Sequence, residues 1–388
     1  MNSTVEMLRS LINFDTTSRE SNLELIEYVR DYLAGHDVAS KLTYNEDKTK
    51  ANLFATIGPN EKIGGVVLSG HTDVVPVDGQ AWSSDPFKMI EENGRLYGRG
   101  TSDMKGFIAT ALAMTEKFQA ADLTIPIHYA FTFDEETTCG GAEVLVRDLT
   151  EQGLQPRAVV IGEPTSMRVV NAHKGGYCYR TSVTGHESHS SLTHQGVNAI
   201  SVAAKLIQHL MNHSAQLEKD ANPDNGFEPP WSTTSIGVIE GGTATNIVAK
   251  SCAFTWDWRP VPGDSLEGAR DSLDEYVASI LPALRLVAPE VDIVTELESA
   301  QAPLVAEPGS SAENLIMALA GTNETAKVAY GTEGPLFQQA RMPVVVFGPG
   351  SIEQAHKPDE FIELSQIAEC ENFLEKLMKR FSTVPETR

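Results

Sequence analysis

Four short apolar runs in this chain each end in a carboxylate or a histidine, and that recurrence narrows the choice of fold most. Val66-Val67-Leu68-Ser69-Gly70 runs into His71-Thr72-Asp73, and Tyr129-Ala130-Phe131-Thr132-Phe133 into Asp134-Glu135-Glu136. Ala158-Val159-Val160-Ile161-Gly162 leads to Glu163, and Val344-Val345-Val346-Phe347 leads through a Gly-Pro-Gly loop to His356. The runs are of strand length and rich in β-formers. Amphipathic patterns with i, i+3, i+4 spacing lie among them, at Val5 to Ile12 and Leu23 to Leu33; an Ala-, Met- and Phe-rich helix spans Gly106 to Phe118, and a closing helix spans Ser365 to Lys379. Such alternation predicts an α/β fold with a mixed, largely parallel sheet covered on both faces. In open α/β sheets the binding crevice lies beyond the carboxyl ends of the strands, so the four strand-end positions should converge. Asp103 joins them from the Gly-rich segment Gly98-Arg-Gly-Thr-Ser-Asp103, which opens the Gly106 helix.

Two imidazoles and at least three carboxylates in one place would repel or protonate unless something positive sat among them. A metal resolves this. With nitrogen and oxygen donors and no thiolate in the pattern, zinc or cobalt is the natural choice, and one bridging carboxylate would serve two ions. His71 and Asp73 are two residues apart and share a face in extended chain, which would let Asp73 accept the other ring N–H of His71. Glu135 and Glu136 are adjacent and point in different directions, which suits one metal ligand and one general base.

The middle of the chain has another texture. Strands at Tyr177–Val183, Ser235–Glu240 and Cys252–Arg259 alternate with helices at Val197–Asn212 and Ser265–Leu281, around the Pro-containing loop from Lys219 to Ser232. This β-α-β-β-α order predicts an inserted α+β sandwich. The length of 388 residues also exceeds the roughly 250–300 that one core supports. The expected division is residues 1–177 and 289–388 for one domain and 178–288 for the insertion.

Composition excludes several classes. With 53 acidic against 30 basic residues the net charge is −23, and the longest basic cluster is a few residues around Lys48 to Lys50, so no nucleic-acid partner is expected. The longest apolar stretch, Phe107 to Met114, is far below the ~18 residues of a membrane span, and no membrane partner is expected either. Cys139, Cys178, Cys252 and Cys370 lack CxxC spacing and fit a reduced compartment. The first residues carry no basic and apolar leader pattern, and the expected location is the cytoplasm.

Ser69-Gly-His-Thr-Asp73, Gly98-Arg-Gly-Thr-Ser-Asp-Met-Lys-Gly106, Asp134-Glu-Glu136, Gly162-Glu-Pro-Thr165 and Gln354-Ala-His-Lys-Pro-Asp-Glu360 together resemble the M20 family of co-catalytic zinc metallopeptidases and amidohydrolases. The resemblance runs from about Leu53 to Leu364. It implies a zinc-peptidase-like catalytic domain, an inserted lid and dimerisation domain, a homodimer, and two Zn2+ per subunit that Co2+ can replace. It further implies that Asp103 bridges the metals, that His71 and Glu163 complete one shell and Glu136 and His356 the other, and that Glu135 is the base while Asp73 orients His71. A cis peptide is implied at Asp103–Met104.

Three lid positions follow from the same resemblance. Gly185-His-Glu-Ser-His189 looks like the lid segment whose second histidine, His189, stabilises the oxyanion across a dimer, with His186 left as a surface residue. Gly241-Gly-Thr-Ala-Thr-Asn246 looks like the segment whose asparagine meets the substrate, and Arg259 occupies the position that binds a substrate α-carboxylate. Gly331-Thr-Glu333 and Phe347-Gly-Pro-Gly-Ser point to the subgroup that hydrolyses N2-acetyl-L-ornithine to ornithine and acetate in arginine biosynthesis. There Glu333 would face the cationic side chain, or else order its loop. Pro335-Leu336-Phe337 and Arg341 depart from the subgroup's pattern. The alternatives are N-succinyl-diaminopimelate desuccinylation, dipeptide hydrolysis, deacylation of another amino acid, and a metal-free binding protein on the same fold.

Overall fold

The computed structural model describes residues 3–383. The chain forms two compact units. The first takes in the chain up to Ala172, then Val305–Ala326 and the part from Thr332 on; the second is His173–Leu304 with Lys327–Gly331.

The first stretch holds α1 (Ser3–Ile12), α2 (Leu23–Ala34), β1 (Ser40–Tyr44), β2 (Ala51–Ile57), β3 (Val66–His71), β4 (Ile90–Glu92) and β5 (Arg95–Tyr97). It continues with α3 (Lys105–Ala113), α4 (Thr115–Ala120), β6 (Ile127–Thr132), α5 (Gly140–Glu151), β7 (Ala158–Ile161) and β8 (Val170–His173). The insertion supplies β9 (Gly176–Thr184), α6 (Ala199–Asp220), β10 (Thr233–Gly241), β11 (Ser251–Arg259), α7 (Gly268–Arg285) and β12 (Asp292–Gln301). The chain closes with α8 (Ser311–Ala320), β13 (Ala326–Val328), α9 (Gly334–Gln339), β14 (Val344–Val346), β15 (Phe361–Glu363) and α10 (Leu364–Arg380).

The large sheet runs β1-β2-β6-β3-β7-β14-β8-β13. Its centre is parallel, with β3 between β6 and β7 and β14 beside β7, while β1, β2 and β8 pair antiparallel. The central strands β3, β6, β7 and β14 are buried along their whole length, as parallel strands covered on both faces must be. Helix α3 packs against α1, α10 and β3 and is buried all round from Lys105 to Leu112, which accounts for its apolar composition. The single helix expected from Gly106 to Phe118 divides at Met114. The Tyr129 hydroxyl donates to the Ala111 carbonyl at 2.6 Å, occupying the acceptor that the Thr115 N–H would use to continue the helix.

The second unit is a four-stranded antiparallel sheet, β10-β11-β9-β12, under α6 and α7. Tyr177, Tyr179 and Val183 of β9 and Phe254, Trp256 and Trp258 of β11 alternate onto one face and form a core with Leu206 and Leu210 of α6 and Leu273 of α7. The unit reaches beyond the expected 178–288 because β12 pairs with β9 along its length, from Asp292 opposite Thr184 to Gln301 opposite Gly176. Asp292–Gln301 was expected to belong to the first domain. As an edge strand with one buried residue, Ile293, it carries little hydrophobic alternation of its own.

Candidate metal centre

The first unit brings His71, Asp73, Asp103, Glu135, Glu136, Glu163 and His356 together at the carboxyl ends of its parallel strands. His71 is the last residue of β3, Glu163 lies just past β7, Glu135 and Glu136 lie just past β6, and Asp103 just precedes α3. The Asp103–Met104 peptide is cis. Asp103 divides its carboxylate between two partners: Oδ1 is 3.0 Å from His71 Nε2, and Oδ2 is 3.4 Å from His356 Nε2. His71 Nε2 is also 3.5 Å from Glu163 Oε1, and His356 Nε2 is 3.0 Å from Glu136 Oε2. Tetrahedral ligands about 2.0–2.1 Å from a zinc ion stand about 3.3 Å apart, the spacing of these donors. His71, Asp103 and Glu136 offer donor atoms all within 4.8 Å of one another, and so do His71, Glu135 and Glu163. The donors are imidazole and carboxylate, a set suited to zinc, cobalt or manganese, and they fit a pair of ions with Asp103 between them.

The electrostatics are those of a crowded acidic cluster. Burial first and Asp103 second push Glu163 up to about 8, and the same two causes push Glu136 up to about 6. Burial and the nearby Glu163 carboxylate raise Glu135 well above the usual range. His356 is raised to about 10 by its contacts with Asp103 and Glu136. Burial opposes ionisation of Asp103, yet its bonds to His356 and His71 hold it well below the ordinary value. Buried carboxylates raised in this way gain most from a divalent cation among them.

Asp73 departs from its expected contact. His71 Nδ1 lies 2.9 Å from the Asp73 backbone oxygen but 3.8 Å from its Oδ1, so the ring donates to the carbonyl and not to the carboxylate. The expectation left out the competing donors that the fold brings to the Asp73 carboxylate. The freed carboxylate accepts from Ser18 Oγ at 2.7 Å, from the Glu135 N–H at 3.1 Å and from the Glu136 N–H at 3.3 Å. It therefore anchors the turn carrying both glutamates. Asp134 pairs with Lys50 beside that turn, and Cys139 Sγ lies 3.7 Å from Glu135 Oε1.

Glu333 is 1% exposed, and its oxygens accept from Ser69 Oγ at 2.6 Å and Thr132 Oγ1 at 2.7 Å. Of its two expected roles, this geometry supports ordering the loop, since both oxygens already have partners on β3, which ends in His71, and β6, which leads to Glu135. Arg99, Glu360, Gln80 and Ser18 were not singled out from the sequence. A signal existed in Gly98–Asp103, because a tight turn exposing successive N–H groups needs a buried acceptor.

His189, Asn246 and Arg259, expected of a lid, lie in the second unit. The Ser190 N–H donates to the Asn246 carbonyl at 3.0 Å and the Val248 N–H to the Ser188 carbonyl at 2.9 Å, an isolated antiparallel bridge in which exposed His189 stands opposite Ile247, with Asn246 the next residue along. His189 Nδ1 is 2.8 Å from Ser191 Oγ and accepts from the Ser191 N–H at 3.2 Å, which leaves the protonated nitrogen at Nε2. Arg259 ends β11 and donates from Nε to Asp257 Oδ2 at 2.9 Å, with 38% of its side chain exposed. His186 pairs with Glu290 at the surface. All four cysteines are free thiols.

The model of peptidase family M20/M25/M40 matches residues 67–380, and the chain belongs to this family. The curated relatives it resembles include the acetylornithine deacetylase of Aliivibrio salmonicida, 37% identical over 95% of this chain and 94% of the relative, and that of Proteus mirabilis, 35% identical over 97% and 96%. Among solved structures, an M20 metallo-carboxypeptidase from Sulfolobus solfataricus superposes with a TM-score of 0.75 at 19% identity, covering 98% of this chain and 99% of that one. Human carnosine dipeptidase 1 gives 0.72 at 17% identity over 98% and 97%. These show the shared fold. Among the described residues no helix is long and apolar enough to cross a membrane.

Proposed function

We propose that the protein is a dinuclear metal-dependent amidohydrolase that cleaves N2-acetyl-L-ornithine into L-ornithine and acetate. The observation that carries the chemistry is the Asp103 carboxylate, with one oxygen toward His71 and the other toward His356. The substrate rests on the acetylornithine deacetylases that match at 35–37% identity along almost the whole chain. The reading places one ion among His71, Asp103 and Glu163 and a second among Asp103, Glu136 and His356, with Zn2+ as the resident metal and Co2+ as a substitute. Bound there, the pair would supply an activated water and polarise the acyl oxygen.

The remaining work falls to side chains. Glu135, beside the His71 and Glu163 donors, takes the proton of the attacking water and returns it to the leaving amine. Asp73 holds Glu135 and Glu136 in register through their N–H groups. Arg259 receives the substrate α-carboxylate, for which a guanidinium offers bidentate geometry. Asn246 contacts the substrate near the scissile bond. His189, its Nε2–H available as a donor, stabilises the oxyanion in the partner subunit of a homodimer. The cytoplasm is the proposed location.

The test is hydrolysis of N2-acetyl-L-ornithine by zinc- or cobalt-loaded protein beside N-succinyl-diaminopimelate and a dipeptide at equal concentration. Preference for acetylornithine is expected. Preference for another substrate would leave the metal chemistry standing and overturn the substrate, and absence of bound metal would overturn both.

A further inference from the structure

Glu360 is a buried carboxylate that none of the steps above uses, and the loop presenting Asp103 winds around it. Its Oε2 accepts from Arg99 Nη1 at 2.8 Å and from the Gly100 N–H at 2.9 Å; its Oε1 accepts from the Ser102 N–H at 2.8 Å and from the N–H of Asp103 itself at 3.0 Å. The Glu360 backbone oxygen takes the Gly98 N–H at 2.9 Å. The turn depends on glycine: Gly100 has φ +85°, and a Cβ there would stand 2.8 Å from a Val74 methyl. Glu360 and Arg99 are each 1% exposed, and one ion pair inside the protein is an unusual way to hold a loop.

Arg99 carries the connection to the other side of the site. Its Nη2 donates to Gln80 Oε1 at 2.7 Å, its guanidinium lies 5.1 Å from the Trp82 ring centroid, and Gln80 Nε2 donates to the His356 backbone oxygen at 3.0 Å. Glu360 itself follows His356 by four residues. A continuous chain of hydrogen bonds thus runs from the Asp103 N–H through Glu360, Arg99 and Gln80 to the His356 carbonyl.

From this network we infer that Glu360, Arg99 and Gln80 form a clamp that sets the separation of Asp103 and His356, with Glu360 as a positioning residue for the metal position those two side chains share with Glu136. The inference rests on the metal-site reading proposed above. Outer partners of metal ligands typically change affinity 10–100-fold when removed, and a clamp of this form should act on the His356 position more than on the His71 position. In Glu360→Gln one carboxylate oxygen becomes an amide NH2, so two of the four donors lose their acceptor.

The experiment is a Co2+ titration of metal-free protein, followed by visible absorption and calorimetry, for wild type, Glu360→Gln and Gln80→Leu. Two bound ions are expected in wild type. In both variants one of the two steps should lose about 10–100-fold in affinity with an altered cobalt spectrum, while the other shifts less. Gln80 is partly exposed and touches no ligand side chain, so Gln80→Leu keeps the test open if Glu360→Gln does not fold. Wild-type protein that binds no cobalt pair would overturn the metal-site reading. A wild-type pair bound with unchanged affinities and spectrum in Gln80→Leu and in any folded Glu360→Gln would overturn the clamp alone.

Discussion

Glu135 and Glu163 both lie within reach of His71, and the geometry alone allows either to hold a metal there. Assigning the base to Glu135 makes a definite claim at this one residue. Glu135→Gln should lower kcat by about 10²–10⁴-fold while elemental analysis finds the metal content of wild type; loss of metal in that variant would make Glu135 a ligand instead. His128, far from this chemistry, offers a second test at the same scale. It is 2% exposed and stacked on Phe54, its Nε2 lacks a hydrogen-bond partner among the described residues, and burial lowers its pKa to about 4. Between pH 6.5 and 4 the unfolded chain binds a proton there that the folded protein refuses. Stability from this group is therefore complete above about pH 6.5 and falls as the pH drops toward 4, by up to about 3 kcal/mol. In His128→Leu, urea midpoints measured across that window should depend less on pH, and an unchanged slope would show that another group titrates. Single residues were legible where strand ends fixed them, as for His71 and Glu163. Asp73 was misread because donors distant in the chain, Ser18 and the Glu135 and Glu136 N–H groups, take its carboxylate and leave its carbonyl to His71.

Elements were legible in proportion to their periodicity. The amphipathic patterns of α1, α2 and α10 carry an apolar face that the sheet must cover, so their expected spans agree with the observed ones within two or three residues. Helix α6 runs to Asp220, eight residues past the expected Asn212, with Leu217 continuing its packed face among polar neighbours. Helix α7 continues to Arg285 through Pro282, where a stop was expected, because a proline late in a helix removes one bond without removing the packing of Leu281 and Leu284. Helix α8 begins with a side-chain cap: Ser310 Oγ accepts the Glu313 N–H at 3.2 Å, and Glu313 reaches back to accept the Gly309 N–H at 2.9 Å and also Asn171 Nδ2 at 2.7 Å. Ser310→Ala should cost about 1 kcal/mol in urea unfolding. Removing Glu313 should cost more, since it also strands the buried Asn171 amide. At the end of β7, Gly162 has the Phe107 ring where a Cβ would stand, 2.0 Å away, so Gly162→Ala should displace α3 or the strand and lower the thermal midpoint by several degrees.

At the scale of the molecule, the proposed use of His189 in a partner subunit predicts complementation. Glu135→Ala and His189→Ala proteins, each nearly inactive alone, should recover about a quarter of the wild-type rate when subunits are exchanged at equal amounts, because half the dimers then hold one intact site. No recovery despite exchange, shown by mass-tagged subunits, would place His189 in its own subunit's reaction. The runs of β-branched residues and the charges that end them were enough to read a largely parallel α/β core and the convergence of histidines and carboxylates at its strand ends, because burial and strand direction act locally and leave a periodic trace. Three things left no such trace: the pairing of β12 with β9, the donors that draw the Asp73 carboxylate away from His71, and the burial of Glu360 and Glu333 beneath the site. Each depends on contacts between residues far apart in the chain, whose geometry follows from how whole strands and loops pack together and not from the composition of either one.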